Sequence, residues 1–594
     1  MPIYHPIFQQ AKPGFRILLY TGDLDLVCSA LHVANGAERI VADNDLEEFE
    51  LFNYFYYLSF IFQQITDSPK IWRYLGDFGG ALTSYKSARN VTFDVLTVRG
   101  AGHAVPINQP RTMRSHLLLI LLLIILTVLA SLEDHPHRVT NLPGAPTEPS
   151  FPLYSGYIKI DWSDEVYDNI FYVLCEAIRS VPLEVPLVVW LNGGPGASSL
   201  IGFLMGNGPY MLEANDTTRY NDFSWNQYAN TLYIESPVSV GFSHSSDIYG
   251  TFDDASTAAL NMKVLEAFMT RVHTRYSNRN FFITGESYAG TYIPYISSRI
   301  LFGQNHEHFT NKNFKGIAIG NSYFDDTIRR SLAARFQLFA MGMVPPRNGS
   351  EVLRHWKDWN SNIFDATDIV NFLEDGSDHF NQIFRELKSP AYNLYLKCEE
   401  EESFHIDRPS KSVECNLKNI TETYLNRLDV QKSLNVITND STTRNWIALN
   451  RAVNKGWQND AISTIQMYRR VLRSAKDNFR ILFYTGDLDL VCSALQVGSS
   501  TTDIAKGAHL EEINASPKLW HYLGDLGGAQ TSYKMRNSSI TMDVITVRGA
   551  GHMVPLNKPA RAFQIINNFI SSTEIFFSEL KEDSEKKICA LIKI

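Results

Sequence analysis

Residues 281–290, with the sequence FFITGESYAG, carry the pattern that decides the fold. An apolar run comes first and GESYAG follows, which predicts a strand, a tight turn with Ser287 at its apex, and a helix. A serine held on such a turn has its hydroxyl lifted clear of the sheet, where a base can reach it. Ala289 stands at the fifth position of the G-x-S-x-G pattern, so the match is loose and needs support from the rest of the chain.

A nucleophilic serine needs a histidine as base and an acid to orient that histidine, and in hydrolases built on an α/β sheet these follow in the order Ser, Asp, His. Residues 479–485 read as a strand that leads into Asp487 and Asp489, and residues 540–547 read as a strand that leads into His552. Each candidate therefore follows the carboxyl end of a strand, where open α/β sheets place their chemistry. At this point either aspartate is a candidate for the acid.

The apolar run at 185–191, VPLVVWL, predicts a parallel strand that is buried on both faces. It ends in NGGPG at 192–196, where glycine lets backbone N–H groups point at a ligand. This turn is a candidate for the donors that stabilise an oxyanion, although a plain structural turn would have the same composition.

Four strings together resemble the serine carboxypeptidase family, the lysosomal and vacuolar enzymes related to cathepsin A: WLNGGPG at 190–196, GESYAG at 285–290, GDLDLVC at 486–492 and GAGHMVP at 549–555. The resemblance covers roughly residues 138–575. It implies an α/β-hydrolase fold with a central, mostly parallel sheet. The polar, helix-like stretch at about 325–423 is then interpreted as a helical cap inserted into that fold.

The resemblance also implies roles for individual residues. The nucleophile, general base and orienting acid are expected to be Ser287, His552 and Asp489, the acid lying three residues before Cys492. The oxyanion donors are expected to be the backbone N–H groups of Gly194 and Tyr288. Recognition of the substrate carboxylate is assigned to Asn192 and Glu286, with Trp190 in the same binding region. A protonated Glu286 would donate a hydrogen bond to that carboxylate, so we expect the best activity in acid.

The chain departs from the family pattern at two places. Gly206 stands where the family usually has a second carboxylate-binding glutamate, and this weakens the expected recognition of the substrate C-terminus. Ala197 and Leu449 stand where the family has two cysteines, so both ends of one disulfide are expected to be lost together.

Modification sites follow from the remaining cysteines and the sequons. Cys398 and Cys415, in a polar insertion, are the best disulfide candidates. The N-glycosylation sequons lie at Asn215, Asn348, Asn419, Asn439, Asn514 and Asn537. Metal-ligand spacing and a phosphate-binding loop are absent from the sequence, and we expect neither a metal nor any other cofactor.

The chain contains an internal repeat. Residues 15–28 recur at 479–492, and residues 94–106 recur at 543–555. We therefore interpret 1–112 as a truncated duplicate of a carboxypeptidase C-terminal segment and 135–594 as the carboxypeptidase domain. Between them, 113–134 combines a basic start, an apolar run and small residues, which is typical of a signal peptide. We expect Met113 to be the natural start of a secreted enzyme.

The composition agrees with a globular hydrolase: 44% of residues are hydrophobic, and a net charge of −9 argues against nucleic-acid binding. We expect peptide or protein substrates with a free C-terminus, no stable membrane span, and a lysosomal or extracellular destination through the secretory pathway. The sequence leaves open whether the protein forms a homodimer. The alternative functions are an acyltransferase or esterase on the same fold, or a non-catalytic protective or binding protein.

Overall fold

The structure, a computed structural model, describes the backbone of strands 16–22, 62–64, 70–74, 77–87 and 92–98. It further describes residues 135–146, 151–178, 185–213, 217–247, 252–301, 309–343, 346–360, 391–396, 416–437, 443–513 and 517–571. The chain divides into two compact units, Met1–His135 and Pro136–Ile594. The signal-like segment 113–134 lies outside the described residues.

The first unit contains a five-stranded sheet. Its strands are β1 (Arg16–Gly22), β2 (Phe62–Gln64), β3 (Lys70–Tyr74), β4 (Asp77–Ser87) and β5 (Thr92–Val98). Their order is β1-β5-β4-β2, with β3 also paired to β4. Strands β1 and β5 are parallel, and the remaining pairs are antiparallel.

The second unit contains a 13-stranded sheet and two two-stranded ones. Its strands are β6 (Arg138–Val139), β7 (Leu153–Asp161), β8 (Tyr167–Cys175), β9 (Leu187–Leu191), β10 (Tyr210–Leu212), β11 (Thr218–Tyr220), β12 (Asn230–Ile234), β13 (His244–Ser245), β14 (Phe252–Asp253), β15 (Phe281–Glu286), β16 (Phe314–Gly320), β17 (Trp457–Gln458), β18 (Arg480–Gly486), β19 (Leu510–Glu512), β20 (Lys518–Tyr522), β21 (Asp525–Met535) and β22 (Thr541–Val547).

The large sheet has the order β19-β21-β22-β18-β16-β15-β9-β12-β8-β7-β6, with β20 on β21 and β13 on β8. The six strands from β22 to β12 are parallel, and the flanking strands are antiparallel. The predicted central, mostly parallel sheet is therefore confirmed. The parallel arrangement matters for function because it places the carboxyl ends of β9, β15, β16, β18 and β22 at the same edge of the sheet.

The repeated sequence pairs identically in the two units. In the first, Arg16 lies opposite Thr92, and in the second, Arg480 lies opposite Thr541. The strand order β1-β5-β4 has its counterpart in β18-β22-β21. In the second unit β18 is also paired with β16, which continues the sheet towards β15.

The helices are α1 (Asp254–Ala267), α2 (Ala289–Leu301), α3 (Thr327–Ala340), α4 (Pro346–Asn360), α5 (Leu417–Leu425), α6 (Leu428–Ser433), α7 (Arg451–Lys455), α8 (Thr464–Ser474), α9 (Ala494–Gly507), α10 (Val554–Asn557) and α11 (Pro559–Ile570). Short π-helical segments span Gly202–Gly206 and Phe268–Val272. Side-chain caps fix several helix starts; α3, for example, begins where the Asp326 carboxylate accepts from the Arg329 N–H at 2.9 Å. Helices α3 and α4 and the start of α5 fall in the stretch that the sequence assigns to the cap.

The core lies on both faces of the large sheet. In β9, Leu187, Val189 and Leu191 pack into one hydrophobic cluster, and Val188 and Trp190 pack into the other. A strand covered on both sides requires an unbroken apolar run, which explains the sequence of residues 187–191. Within the described ranges, no helix has the length and apolar character needed to cross a membrane.

Candidate active site

Ser287 lies at the turn between β15 and α2, with a φ of +62°. Non-glycine residues adopt this left-handed region rarely, so the surrounding structure must hold the turn. The Ser287 N–H donates to Gly320 O at 3.0 Å. The Ser287 carbonyl accepts from the N–H groups of Gly290 and Tyr323, each at 2.9 Å. The serine is thus fixed at the carboxyl end of β15, between β9 and β16.

Two glycines allow the end of β9 to approach this turn. A Cβ on Gly285 would lie 2.3 Å from Leu191 O. A Cβ on Gly193 would lie 2.4 Å from Tyr288 N and 2.8 Å from Ser287 Cβ. Neither position has room for a side chain, so the glycines are required by close packing of the two turns.

The two expected oxyanion donors lie in these adjoining turns. Gly194 has a φ of +110°, a region that strongly favours glycine, and Tyr288 directly follows Ser287. Across the described parts of the chain, neither backbone N–H donates a hydrogen bond. Both donors are therefore free to bind a developing negative charge.

The acid and the histidine are in direct contact. His552 Nδ1 lies 2.6 Å from Asp489 Oδ2, and both side chains are buried. A carboxylate accepts, so Nδ1 carries the proton and Nε2 is left as the basic nitrogen. Burial opposes protonation of His552, but the charge of Asp489 and its hydrogen bond, with a contribution from Glu286, raise the pKa of His552 above its usual value.

The two neighbouring aspartates have different partners. Asp487 Oδ1 accepts from the Gly549 N–H at 2.7 Å. Asp489 accepts from His552 and also from Asn321 Nδ2 at 2.8 Å. The geometry thus distinguishes two residues that the strand-end pattern alone leaves equivalent.

Ser287 and His552 follow the carboxyl ends of β15 and β22, which the parallel sheet places at the same edge. Glu286 precedes Ser287 in the chain, and its charge acts on His552. No hydrogen bond joins Ser287 to His552 in the described regions. The transfer of a proton between them is therefore part of the proposal below.

Asn192 and Glu286 form a buried pair. Asn192 Nδ2 donates to Glu286 Oε1 at 2.8 Å. Asn192 Oδ1 accepts from Trp190 Nε1 at 2.7 Å and from the Gly202 N–H at 3.2 Å. These two donors fix the amide so that its NH₂ group faces Glu286. Trp190 is 1% exposed, so it orients Asn192 rather than reaching a substrate itself.

Burial changes the protonation of Glu286. Burial raises its pKa to about 7, with Asp489 adding to the rise and His552 and Asn192 opposing it. In mildly acidic solution the carboxyl group is consequently neutral and able to donate a hydrogen bond.

The first departure from the family pattern leaves room beside the histidine loop. Among the described residues, a Cβ on Gly206 would have only Pro555 Cβ within 4 Å, at 3.9 Å. Pro555 lies three residues beyond His552, so the space belongs to the neighbourhood of the site.

The second departure from the family pattern concerns two residues that are distant in sequence but neighbours in space. Ala197 and Leu449 form an isolated antiparallel bridge. Ser198 N–H donates to Ala448 O at 2.9 Å, and Asn450 N–H donates to Gly196 O at 3.0 Å. The flanking bonds make this a non-hydrogen-bonded pair, whose Cα atoms are typically about 4.5 Å apart.

The remaining modification residues are distributed as follows. Asn537 is exposed in the turn between β21 and β22, and Asn419 lies partly buried on α5. Asn348 lies on α4. The residues outside the described part of the chain are Asn215, Asn439, Asn514, Cys398 and Cys415. Cys175 and Cys492 are free and buried.

Comparison with known proteins agrees with this geometry. A sequence model of the family described as serine carboxypeptidase matches residues 1–121 and 143–572. The chain belongs to the serine carboxypeptidase family. It is therefore a serine-type carboxypeptidase, a hydrolase of peptide bonds.

Several relatives resemble this serine carboxypeptidase over nearly their whole length. The serine carboxypeptidase ctsa-4.1 of Caenorhabditis elegans is 31% identical over 470 residues, covering 74% of this chain and 93% of the relative. The lysosomal protective protein of Mus musculus is 30% identical over 499 residues, covering 78% and 99%. Among solved structures, the prohormone-processing carboxypeptidase Kex1Δp of Saccharomyces cerevisiae covers 75% of this chain and 98% of its own, with a TM-score of 0.57 and 21% identity. That likeness confirms the α/β-hydrolase fold.

Sequence reasoning misses several residues that support the site of this serine carboxypeptidase. Asn321 follows β16, accepts from the Gly486 N–H at 3.1 Å and donates to Asp489. Gln337 on α3 donates to Asp487 O at 2.8 Å and to Asp489 O at 3.2 Å. The strand-end rule applied to the run at 314–320 would have found Asn321. No local pattern indicates Gln337, because its partners are distant in sequence.

Proposed function

We propose that this serine carboxypeptidase releases C-terminal residues from peptides through an acyl-enzyme on Ser287, with its best activity in acid. The observation that carries the proposal is the 2.6 Å contact between His552 and Asp489. It lies at the same edge of the sheet as the Ser287 turn. Orientation by a buried carboxylate leaves Nε2 of His552 to act as base.

In the proposed reaction, His552 Nε2 accepts the proton of Ser287 Oγ as this oxygen attacks the scissile carbonyl carbon. The oxyanion is stabilised by the N–H groups of Gly194 and Tyr288, and removal of one such donor typically costs about 2.7–4 kcal/mol. His552 then donates the proton to the leaving amine, which departs as the C-terminal amino acid. Water, activated by the same nitrogen, releases the acyl group and restores Ser287.

The specificity for a free C-terminus is assigned to Asn192 and Glu286. The neutral Glu286 donates to the substrate carboxylate and the ionised form repels it. Because the pKa of Glu286 is about 7, binding of free-carboxylate peptides should weaken as the pH rises through that value. His552 sets the opposite limit, since it must be neutral to act as base. Because its pKa is raised, this limit lies close to the one set by Glu286, and activity on free-carboxylate peptides should be confined to a narrow range on the acid side of neutrality. A substrate without a carboxylate should retain only the limit set by His552.

One observation favours a second function. Gly206 supplies no carboxyl group at the position where the family usually has its second carboxylate-binding glutamate, and this suits substrates whose leaving group carries no carboxylate. Esterase or acyl-transfer activity on the same Ser287 is therefore the alternative. Pairs of peptides that differ only in a free or an amidated C-terminus distinguish the two.

The first unit is proposed to be a catalytically silent duplicate. The family model extends over residues 1–121, and the sheet of this unit repeats the pairing of β18 and β22. Asp25 and His103 correspond in the repeat to Asp489 and His552, and no serine turn accompanies them. For cellular location we propose the secretory pathway, supported by the sequons and by a relative named as lysosomal.

A fluorophosphonate probe and a peptide pair test the proposal together. The wild-type chain should be labelled on Ser287 and should hydrolyse the free-carboxylate peptide. The Ser287→Ala variant should be neither labelled nor active on that peptide. Labelling at another residue would overturn the assignment of the nucleophile. Faster hydrolysis of the amidated peptide at every pH would favour the alternative function.

A further inference from the structure

An aromatic wall, formed by Tyr288, Tyr323 and Trp457, flanks the nucleophile. The centroid of the Tyr288 ring lies 5.0 Å from that of Tyr323 and 5.7 Å from that of Trp457. The Tyr323 N–H donates to Ser287 O at 2.9 Å, so this residue is fixed directly beside the serine. Ser287, Tyr323 and Trp457 are each partly exposed. Part of the aromatic wall can therefore be reached from the solvent next to the serine.

A guanidinium group lies over this wall. Cζ of Arg330, on α3, is 4.9 Å from the centroid of the Tyr323 ring, which is a cation–π distance. The charge of Arg330 also acts on Cys492, where it opposes the rise in pKa that burial and Asp489 cause. Arg330 is thus close both to the turn that carries Ser287 and to the loop that carries Asp489.

The preceding arginine in the sequence has a different environment. Arg329 is 9% exposed, and its guanidinium donates to Asp503 Oδ2 at 2.7 Å and lies 3.4 Å from Asp326 Oδ2. These contacts anchor α3 to α9. Arg330 is only half-buried, and among the described residues its side chain makes neither a hydrogen bond nor an ion pair. Its positive charge is therefore available to a group that enters the site.

The acidic groups near the aromatic wall do not cancel this charge. Asp254 is 3% exposed and accepts from Trp457 Nε1 at 3.2 Å. Burial raises the pKa of Asp254 to about 6, so its carboxyl group is largely neutral in mildly acidic solution. Burial also raises the pKa values of Asp325 and Asp460. The guanidinium of Arg330, by contrast, stays charged at every pH at which the enzyme would work.

We propose that Arg330 is a specificity residue, which favours an acidic side chain in the substrate residue that precedes the scissile bond. The inference rests on the proposed function. In that reaction the carbonyl oxygen lies towards the N–H groups of Gly194 and Tyr288, and the leaving amino acid lies towards His552 and Glu286. The side chain of the preceding residue then has the aromatic wall as its place. A carboxylate there can accept two parallel hydrogen bonds from one guanidinium.

The C-terminus of the substrate is a second carboxylate, but its proposed site lies elsewhere. Asn192 follows β9 and Tyr323 follows β16, and these strands lie on opposite sides of β15 in the sheet. The pKa of Glu286 responds to His552, Asn192 and Asp489. Arg330 is therefore assigned to the acyl part of the substrate and not to its C-terminus.

The test uses three blocked dipeptides: benzyloxycarbonyl-Glu-Leu, the glutamine peptide of nearly equal size, and the lysine peptide. Each has a single residue before the scissile bond. At about pH 5.5 the glutamate is ionised, because its usual pKa is about 4.3. We expect the wild-type kcat/KM to be about 10-fold higher for the glutamate peptide than for the glutamine peptide, as one hydrogen bond between charged groups permits.

Two variants of Arg330 change this ratio in different ways. Arg330→Gln should lower the ratio to about 1 while kcat/KM for the glutamine peptide changes by less than about threefold. Arg330→Glu should reverse the preference, so that the lysine peptide is cleaved faster than the glutamine peptide. Arg536→Gln is the matched control, since Arg536 lies in the turn before β22, at the edge of the sheet opposite the site. It should keep the wild-type ratio. Tm checks that each variant is folded.

Three results would overturn the inference: a wild-type ratio of about 1, a wild-type ratio retained in Arg330→Gln, or an equal loss on both peptides in that variant. The last result would place Arg330 at the C-terminus of the substrate or in support of the fold. If Arg330→Gln does not fold, Arg330→Met keeps most of the side-chain volume, and the same ratio decides. If the wild type cleaves none of the peptides, the proposed function itself fails, and this result is distinct from a ratio of about 1.

Discussion

Replacement of Asp489 by asparagine tests the catalytic acid most directly. The carboxylate accepts four hydrogen bonds. Oδ2 accepts from His552 Nδ1 at 2.6 Å, from Asn321 Nδ2 at 2.8 Å and from the Cys492 N–H at 3.2 Å. Oδ1 accepts from the Val491 N–H at 2.8 Å. The amide of an asparagine at this position keeps only one of the two oxygens. Its NH₂ group stands in place of the other oxygen and must therefore face at least one of these donors.

The donors decide which orientation the amide adopts. With its oxygen towards His552, the amide leaves only the Val491 N–H unpaired. With NH₂ towards His552, it leaves both Asn321 and Cys492 unpaired and requires the wrong histidine tautomer. Each unpaired buried donor costs about 1–3 kcal/mol, so the first orientation is favoured.

The expected loss of activity follows from this orientation. The productive tautomer of His552 is kept, and what disappears is the negative charge that stabilises the imidazolium in the transition state. Hydrogen bonds to charged groups contribute about 1.5–3 kcal/mol, which corresponds to a decrease of about 10–150-fold in kcat/KM. A wrong tautomer, by contrast, costs about 10⁴-fold in the serine-protease template.

The assay is kcat/KM for a small ester as a function of pH, with Asp487→Asn as matched control. Asp487 contacts Gly549 rather than His552, so its substitution should change the rate by less than about threefold. In Asp489→Asn the acid limit should also shift to lower pH. Without the charge of Asp489, burial lowers the pKa of His552, and the base stays neutral in more acidic solution. A loss near 10⁴-fold would refute the reasoning on orientation, and equal effects of the two variants would refute the choice of acid.

Three further predictions concern other parts of the chain. Gly206→Glu should tighten binding of free-carboxylate peptides and raise the upper pH limit of that binding, because a second acid would raise the pKa of Glu286. The measurement is KM for these peptides as a function of pH, with the amidated peptide and Tm as controls. An unchanged pH limit would contradict the prediction. Ala197→Cys combined with Leu449→Cys should form a disulfide that stabilises the fold by about 2–4 kcal/mol, measured as a Tm that falls on reduction only in the double variant; a double variant that keeps both thiols free would show that the pair is not in bridging geometry. Deletion of 1–112 should leave the rate per labelled active site unchanged, and a large loss in the folded, truncated enzyme would show that the first unit contributes to catalysis.

Much of the fold could be predicted because local patterns coincide with the final structure. The apolar run at 187–191 forms a strand buried on both faces, and GESYAG forms the turn between β15 and α2. Strand-end positions likewise indicate Asp487, Asp489 and His552 as candidates. These signals are readable because a buried parallel strand and a strained turn each restrict the residues that can form them.

The role of Trp190 could not be read in the same way. It is part of a binding motif, yet its side chain points into the core and orients Asn192 through Nε1. Alternation along a strand that is apolar on both faces does not tell which face carries which residue. Only the packing of the second hydrophobic cluster decides this.

The sequence by itself determined the fold class, the family and the set of reactive side chains, because each depends on short strings whose backbone requirements are local. The family resemblance already indicated Asp489 as the acid, but the tertiary structure alone showed its contact with His552, how Asn321 supports it, and that Tyr392 in the segment 391–396 lies against the imidazole. These contacts join residues between 63 and 168 positions apart in the chain. They arise only when parallel strands bring their carboxyl ends to one edge, and no local pattern encodes the distance between two loops that meet there.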